Sequence, residues 1–502
     1  MRNLPLLVIL TGIGALAMLM PAVHAASLRS YDVARPFLYG GVMFLLLSVM
    51  IGIATRSYRP RNVARSQLGA LLGAYFWLPI MLAVPFDQAV RDTSFLNAWF
   101  EMVSCFTTTG VTLYDTPGRL LPSLHLWRAL VGWLGGFFIL LTAVAVLAPL
   151  GLGGVEVISG RVPGRAALGA GQITRGADQS ARLEKHTATL FPAYLGLTTA
   201  LWIGLVTSGE TGLHALILAM STLSTSGITA GVALPGAPSG LMGEVLIFLF
   251  MGLALTRRSL PGAVVTSRSE SILRDPELRM GLLFLVIVPL ILFFRHWLGA
   301  LAVDDIGNFT AAARSLWGAL FTTLSFLTTT GFESGDWQAS RAWSGLNAPG
   351  LILLGLAMMG GGVATTAGGL KLLRVYALAM HGERELDRLV HPSSIGGGGD
   401  AARRLRRGGA YFAWIFFMLF ALTFAVVLAA LAMNGIAFER AFVLAVAAVT
   451  TTGPLAVLGA DAPIRLLELS ASAKIVLAVA MVVGRVEILA ILALVSPAVW
   501  RQ

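Results

Sequence analysis

A chain of 502 residues that is 56% hydrophobic and 12% charged, with a mean hydropathy of +0.80, is excluded from the soluble multidomain class and falls among polytopic membrane proteins. Its formal charge of +11 collects in loops between apolar stretches, where it sets topology and calls for no nucleic-acid partner. Cys105 is the only cysteine, which excludes an intrachain disulfide and a thiolate metal cluster.

In chain order, apolar stretches near the ~20 residues that cross a bilayer fall at about 5–23, 36–55, 66–85, 127–150, 187–207, 242–256, 280–298, 349–379, 410–432 and 473–497, about ten spans in all. The first has a signal-like outline ending in Val23-His24-Ala25-Ala26. It is read as a retained span, because its apolar run is long for a signal and retaining it leaves every later loop on a consistent side. With the N-terminus cytoplasmic, the internal loops carry Arg56 to Arg65, Arg161 to Lys185, Arg257 to Arg279 and Lys371 to Arg407. External loops hold only scattered basic residues, so the asymmetry fixes the orientation.

Four short segments recur at intervals of very roughly a hundred residues. They are Thr107-Thr108-Thr109-Gly110-Val111, Ser224-Thr225-Ser226-Gly227-Ile228, Thr328-Thr329-Thr330-Gly331-Phe332 and Thr450-Thr451-Thr452-Gly453-Pro454. Each follows an apolar helical run too short to span (97–106, 213–223, 313–327 and 438–449) and lies between spans. The spacing predicts two leading helices over 1–60 and four span, half-helix, span repeats over 61–160, 161–270, 271–390 and 391–502. The fold class is therefore an all-α polytopic membrane protein with pseudo-fourfold repeats around a pore.

Irregular backbone at membrane depth is tolerated only inside protein or along a water-filled cavity. Four such segments need one polar interior. Glycine lets the chain turn so that carbonyl oxygens replace a cation's hydration shell, and each half-helix aims its negative end at the same place. A single Thr-Gly pair would be read as a helix-packing contact, but four copies in the same setting are not explained that way.

These segments, with Trp127-Arg128, Gly132-Trp133-Leu134-Gly135-Gly136, the run from Met359 to Lys371 and Gly484-Arg485-Val486-Glu487, resemble the TrkH/TrkG/KtrB/HKT superfamily of K⁺ transporters over nearly the whole chain. The two leading spans resemble the TrkH/TrkG branch. The resemblance implies K⁺ as the transported ion, with no organic cofactor in this chain, and uptake across the bacterial inner membrane. The implied filter is Thr108, Thr109, Gly110, Val111, Thr225, Ser226, Gly227, Ile228, Thr329, Thr330, Gly331, Phe332, Thr451, Thr452, Gly453 and Pro454. It further implies a homodimer and a cytosolic TrkA-like regulatory subunit that binds nucleotides. The nucleotide site is not in this chain, because Gly151 to Glu156 lacks the last glycine of a dinucleotide fingerprint.

The stretch 349–379 is broken by Gly360-Gly361-Gly362, Thr365-Thr366 and Gly368-Gly369, a composition that predicts an unwound centre. This segment and Lys371 are read as a gate beneath the filter, steadied by Arg485, whose charge within a span demands a partner. Glu487, two residues on, faces another side of the helix, so a carbonyl of the unwound loop or of the filter region is the expected partner, as the resemblance also implies for an arginine at this place. The basic loops 151–186, 257–279 and 371–409, with the Gly396–Gly399 arm and its arginines, are read as topology signals and as docks for the regulatory subunit. A Na⁺-permeable member of the same superfamily is the alternative; serine replaces the first filter glycine in Na⁺-preferring plant members, and all four positions are glycine here. A membrane-embedded enzyme would need a base beside a hydroxyl nucleophile, and the repeats offer none.

Overall fold

The computed structural model describes residues 5–56, 63–116, 118–159, 177–231, 234–259, 261, 275–300, 309–345, 348–391, 407–460 and 462–495. Among them the secondary structure is helical, with no strand. The predicted sites at 160–176, 262–274 and 392–406, which include eight of the eighteen basic residues of the predicted docks and the glycine arm, lie outside the described residues.

Among the described residues seven helices are long and apolar enough to cross a membrane: Leu6–Ser27, Tyr31–Ala54, Arg65–Val90, Pro122–Leu150, Arg182–Thr207, Pro276–Arg295 and Gly409–Met433. The other three of the ten predicted spans are interrupted. Gly240–Met251 runs on only as a 3₁₀ turn, Gly350–Met359 stops at Gly360, and Ala471–Val486 turns by 88° into Ile488–Val495. Hydropathy averaged along the chain counts these as whole spans because their broken ends are apolar too.

The interruptions follow a pattern. Each repeat has an inner helix after its half-helix, and all four inner helices lose regular α form near the same end. In the first repeat the change is a π turn at Ala143–Leu147, then a 3₁₀ turn, then left-handed Gly151. In the last, Glu487 carries the bend at φ 68°. Irregular backbone of this kind needs protein rather than lipid around it. Burial agrees, since 83% of the apolar window of Pro122–Leu150 is buried against 22% for the outer span Gly409–Met433.

The two leading helices brace the first quarter. Ser48 Oγ donates to the Val8 carbonyl at 2.9 Å, and Phe37 meets Trp127 edge-on with ring centroids 5.2 Å apart. Close approach here depends on small residues: a Cβ on Gly41 would stand 3.1 Å from the Ala15 carbonyl oxygen.

The half-helices are Phe95–Phe106, Gly212–Ser224, Phe309–Leu327 and Phe438–Val449, matching the short runs predicted from sequence. Ser94 caps the first, accepting the Asn97 amide at 3.4 Å.

Candidate functional site

Each half-helix ends in the same turn. The second residue of the Thr/Ser-Gly segment is left-handed in all four quarters, with φ of 56° at Thr108, 52° at Thr225, 57° at Thr329 and 55° at Thr451. The amide of the third residue reaches back five positions: Thr109 to Ser104 (2.9 Å), Ser226 to Ser221 (3.0 Å), Thr330 to Ser325 (2.9 Å) and Thr452 to Ala447 (2.8 Å). That is the 6→1 bond of a Schellman cap, a place where glycine is the usual left-handed residue. A β-branched threonine there is strained, and strain of this kind concentrates at functional sites.

The hydroxyls divide into two sets. The first residue of each segment donates to the carbonyl four back: Thr107 to Val103, Ser224 to Met220 and Thr450 to Val446 at 2.8 Å, and Thr328 to Leu324 at 2.9 Å. It also bonds the hydroxyl of the third residue, at 2.8 Å for Thr109, 3.0 Å for Ser226 and Thr330, and 3.1 Å for Thr452. These pairs brace the turn. The strained second residues behave otherwise: among the described residues the buried Thr108 and Thr451 hydroxyls have no hydrogen-bond partner, and Thr329 Oγ1 accepts the Gly368 amide at 2.7 Å.

The glycines close a ring. A Cβ on Gly110 would strike the Ser226 carbonyl oxygen, one on Gly227 the Thr330 carbonyl and the Pro454 ring, one on Gly331 the Pro454 ring, and one on Gly453 the Val111 amide and the Thr109 carbonyl. Each quarter therefore abuts the next, in the order one, two, three, four and back to one. Gly110, Gly227 and Gly331 have φ of 73°, 64° and 83°. Gly453, followed by Pro454, is not left-handed, and its amide donates instead to the Thr109 carbonyl at 2.6 Å.

One broken inner helix crosses below this ring. The backbone between Met359 and Leu372 is non-helical, as its glycines predict, and it is held from three sides. The Gly362 amide donates to the Ala254 carbonyl at 2.9 Å, the Val363 amide to Glu277 Oε1 at 3.2 Å, and Thr366 Oγ1 to the Leu223 carbonyl at 3.2 Å. A Cβ on Gly368 would strike the Thr450 carbonyl and the Thr451 hydroxyl. Two cations cap successive carbonyls of the segment: Arg485 Nη1 donates to Thr366 O at 2.6 Å, and Lys371 Nζ donates to Ala367 O. The contact predicted for Arg485 is thus present. Ala367, Gly368, Lys371, Arg485 and Glu487 line a cavity beside the segment, together with Ile139 and Ala143.

Sequence reasoning missed the buried ion pairs that tie the ends of the inner helices together. Arg374 donates to Glu156 at 2.8 Å and to Glu487 at 2.7 Å, and its guanidinium lies 3.5 Å from the centre of the Phe416 ring. The cluster joins the first, third and fourth quarters. Arg257 pairs with Glu277 at 3.4 Å, and Thr256 donates to Asp275 at 2.6 Å. The available signal was Glu156 and Glu487 at the ends of the first and last inner helices, but their common partner Arg374 lies 218 and 113 positions away. On the opposite side of the ring stands Glu333. Burial raises its carboxyl above the ordinary range, against a hydrogen bond from Gln338 and the charge of Arg341.

A multi-pass helical protein whose half-helices meet in a closed ring of threonine and glycine backbone is in class a membrane ion-transport protein. A profile of the family described as TrkH, cation transport protein, matches residues 247–501, and the chain belongs to that family. It is 28% identical to the Trk system potassium uptake protein TrkH of Vibrio parahaemolyticus over 98% of each chain. It is 26% identical to the Trk system potassium uptake protein TrkG of Escherichia coli over 87% of this chain and 86% of that one. The crystal structure of the potassium transporter TrkH from Vibrio parahaemolyticus superposes with a TM-score of 0.79 at 26% identity, covering 100% of this chain and 99% of the other.

Proposed function

We propose that the chain is the ion-conducting subunit of a Trk-type system and carries K⁺ inward across the bacterial inner membrane. The observation that carries this reading is the closed ring, in which four half-helices end in one repeated turn with a strained threonine in every quarter. The ring serves as the filter, with carbonyls of residues 108–111, 225–228, 329–332 and 451–454 and the free hydroxyls of Thr108 and Thr451 taking the place of water around the ion. The four quarters correspond to 61–160, 161–270, 271–390 and 391–502, behind two leading helices in 1–60.

Gly360 to Gly369, with Lys371 and Arg485, forms the gate on the cytoplasmic side. Glycine makes its rearrangement sterically cheap, and the two cations capping its carbonyls hold the blocking position. The charge of the internal loops supports a cytoplasmic N-terminus. A homodimer and a TrkA-like nucleotide-binding ring on the cytoplasmic side complete the assembly, and the names of the relatives, which refer to a Trk system, support a multi-subunit setting.

The test is uptake of labelled rubidium by liposomes holding the purified chain, with K⁺ and Na⁺ as competitors. Competition by K⁺ but not by Na⁺ is the result this function requires. Equal competition would favour a Na⁺-permeable transporter, and absence of ion flux from both the wild type and a gate-shortened variant would remove transport altogether.

A further inference from the structure

The chain leaving the ring is anchored by buried carboxylates in two opposite quarters. In the first quarter, Glu101 Oε2 accepts the Leu113 amide at 3.0 Å, three residues past Gly110, while its Oε1 accepts Arg128 Nε at 2.7 Å. In the third, Glu244 Oε1 accepts the Gly335 amide at 2.7 Å, and its Oε2 accepts Ser334 Oγ at 2.7 Å and Trp317 Nε1 at 2.9 Å. Ser334 again stands three residues past the ring glycine, Gly331. The two carboxylates are 0% and 7% exposed.

Internal duplication does not account for the likeness. Glu101 lies on the half-helix of its own quarter, Phe95–Phe106, whereas Glu244 lies on Gly240–Met251, the inner helix of the neighbouring quarter. Two different elements supply the same acid to the same place. The electrostatics differ as well. Glu101 is paired with Arg128, while among the described residues Glu244 has three hydrogen-bond donors and no basic partner. A buried carboxylate without a counter-ion is costly to desolvate, so its presence calls for a function beyond packing.

We propose that Glu101 and Glu244 are positioning residues that clamp the exit strands of opposite quarters and so fix the spacing of the ring oxygens across one diameter. Ion selection by a carbonyl ring depends on how closely that spacing is held, whether through cavity size or through the number of oxygens that stay in reach. Supporting groups that lock the contacting atoms are what hold it. The inference rests on reading the ring as a K⁺ filter.

The experiment is Na⁺ and rubidium uptake by liposomes holding the full-length chain, as wild type, Glu244→Gln and Ser334→Ala, with melting midpoints measured in detergent on the same preparations. Glu244→Gln keeps the size of the side chain but turns an amide NH₂ toward its donors. It should raise Na⁺ flux relative to rubidium flux several-fold. Ser334→Ala, which removes one donor and leaves the acid, should shift the ratio the same way by less. A merely structural role would lower the midpoint and leave the ratio alone, and folded variants with the wild-type ratio would overturn the proposal. A wild type that passes K⁺ selectively secures the underlying reading whatever the variants do; one that passes none would sink that reading and the clamp with it.

Discussion

Arg485, on the last inner helix, donates from Nη1 to the carbonyl oxygen of Thr366, 119 residues earlier, at 2.6 Å. The bond joins the fourth quarter to the broken backbone of the third directly below the ring. A buried arginine cannot shed its proton, so it needs such an acceptor. Arg485→Ala should free the segment and raise rubidium uptake measured without the regulatory subunit. Arg485→Lys, which keeps one charged donor, should raise it less. Uptake unchanged in Arg485→Ala would show that the bond does not restrain the gate.

Shortening 361–368 should have a larger effect of the same sign. The segment touches the ring at Thr329 and at Thr450-Thr451, and a shorter chain cannot reach those contacts. Flux that stays low and dependent on the regulatory subunit after the deletion would place the barrier elsewhere.

Strain at the second threonine predicts opposite effects on stability and transport. A left-handed β-branched residue costs about 1–2 kcal/mol, and glycine relieves it at an entropic cost of about 0.5–1 kcal/mol. Thr451→Gly should therefore match the wild type in stability or exceed it by up to about 1.5 kcal/mol, seen as a melting midpoint at or above the wild-type one. Losing the unpartnered hydroxyl should lower the initial rate of K⁺ uptake. A variant that loses stability and keeps full transport would contradict the assignment of strain to ion binding.

The buried triad offers a stability test away from the ring. Removing Arg374 leaves Glu156 and Glu487 facing each other without their shared cation. Breaking a buried pair in this way costs about 3–5 kcal/mol, so Arg374→Ala should lower the melting midpoint sharply. Neutralising all three, with Arg374→Met, Glu156→Gln and Glu487→Gln together, should recover much of the loss. A triple variant as unstable as Arg374→Ala would mean that the arginine's packing on Phe416, rather than its charge, holds the cluster.

The fourfold repeat, the half-helix limits and the unwinding after Met359 were legible in the sequence because they depend on local composition: short apolar runs, glycine clusters and recurring Thr-Gly pairs. The charge of Arg485 inside a span likewise announced a partner. What the sequence hid was geometric. It drew attention to the glycines as turn residues, while the left-handed position shared by all four quarters is the second threonine. No propensity argument selects a β-branched residue there, because the reason for it lies in the ring and not in the turn. The shortness of Gly240–Met251 and the bend at Glu487 were hidden for a related reason. Burial inside the bundle lets apolar chain abandon the helix, and hydropathy cannot tell such chain from a span. The Arg374 and Glu244 contacts join distant segments and leave no periodic trace.

The most direct test of the central claim is the reversal potential across a bilayer holding the purified, gate-shortened chain, with K⁺ on one side and Na⁺ on the other. It should be compared with the same chain carrying Gly110→Ser. Gly110 is left-handed, and its missing Cβ leaves room for the Ser226 carbonyl oxygen, so a side chain must displace a ring oxygen. The account predicts a reversal potential far toward the K⁺ equilibrium value for the glycine form and a shift toward zero for Gly110→Ser. A value near zero in both, or the same K⁺ preference in both, would contradict the assignment of selectivity to the ring.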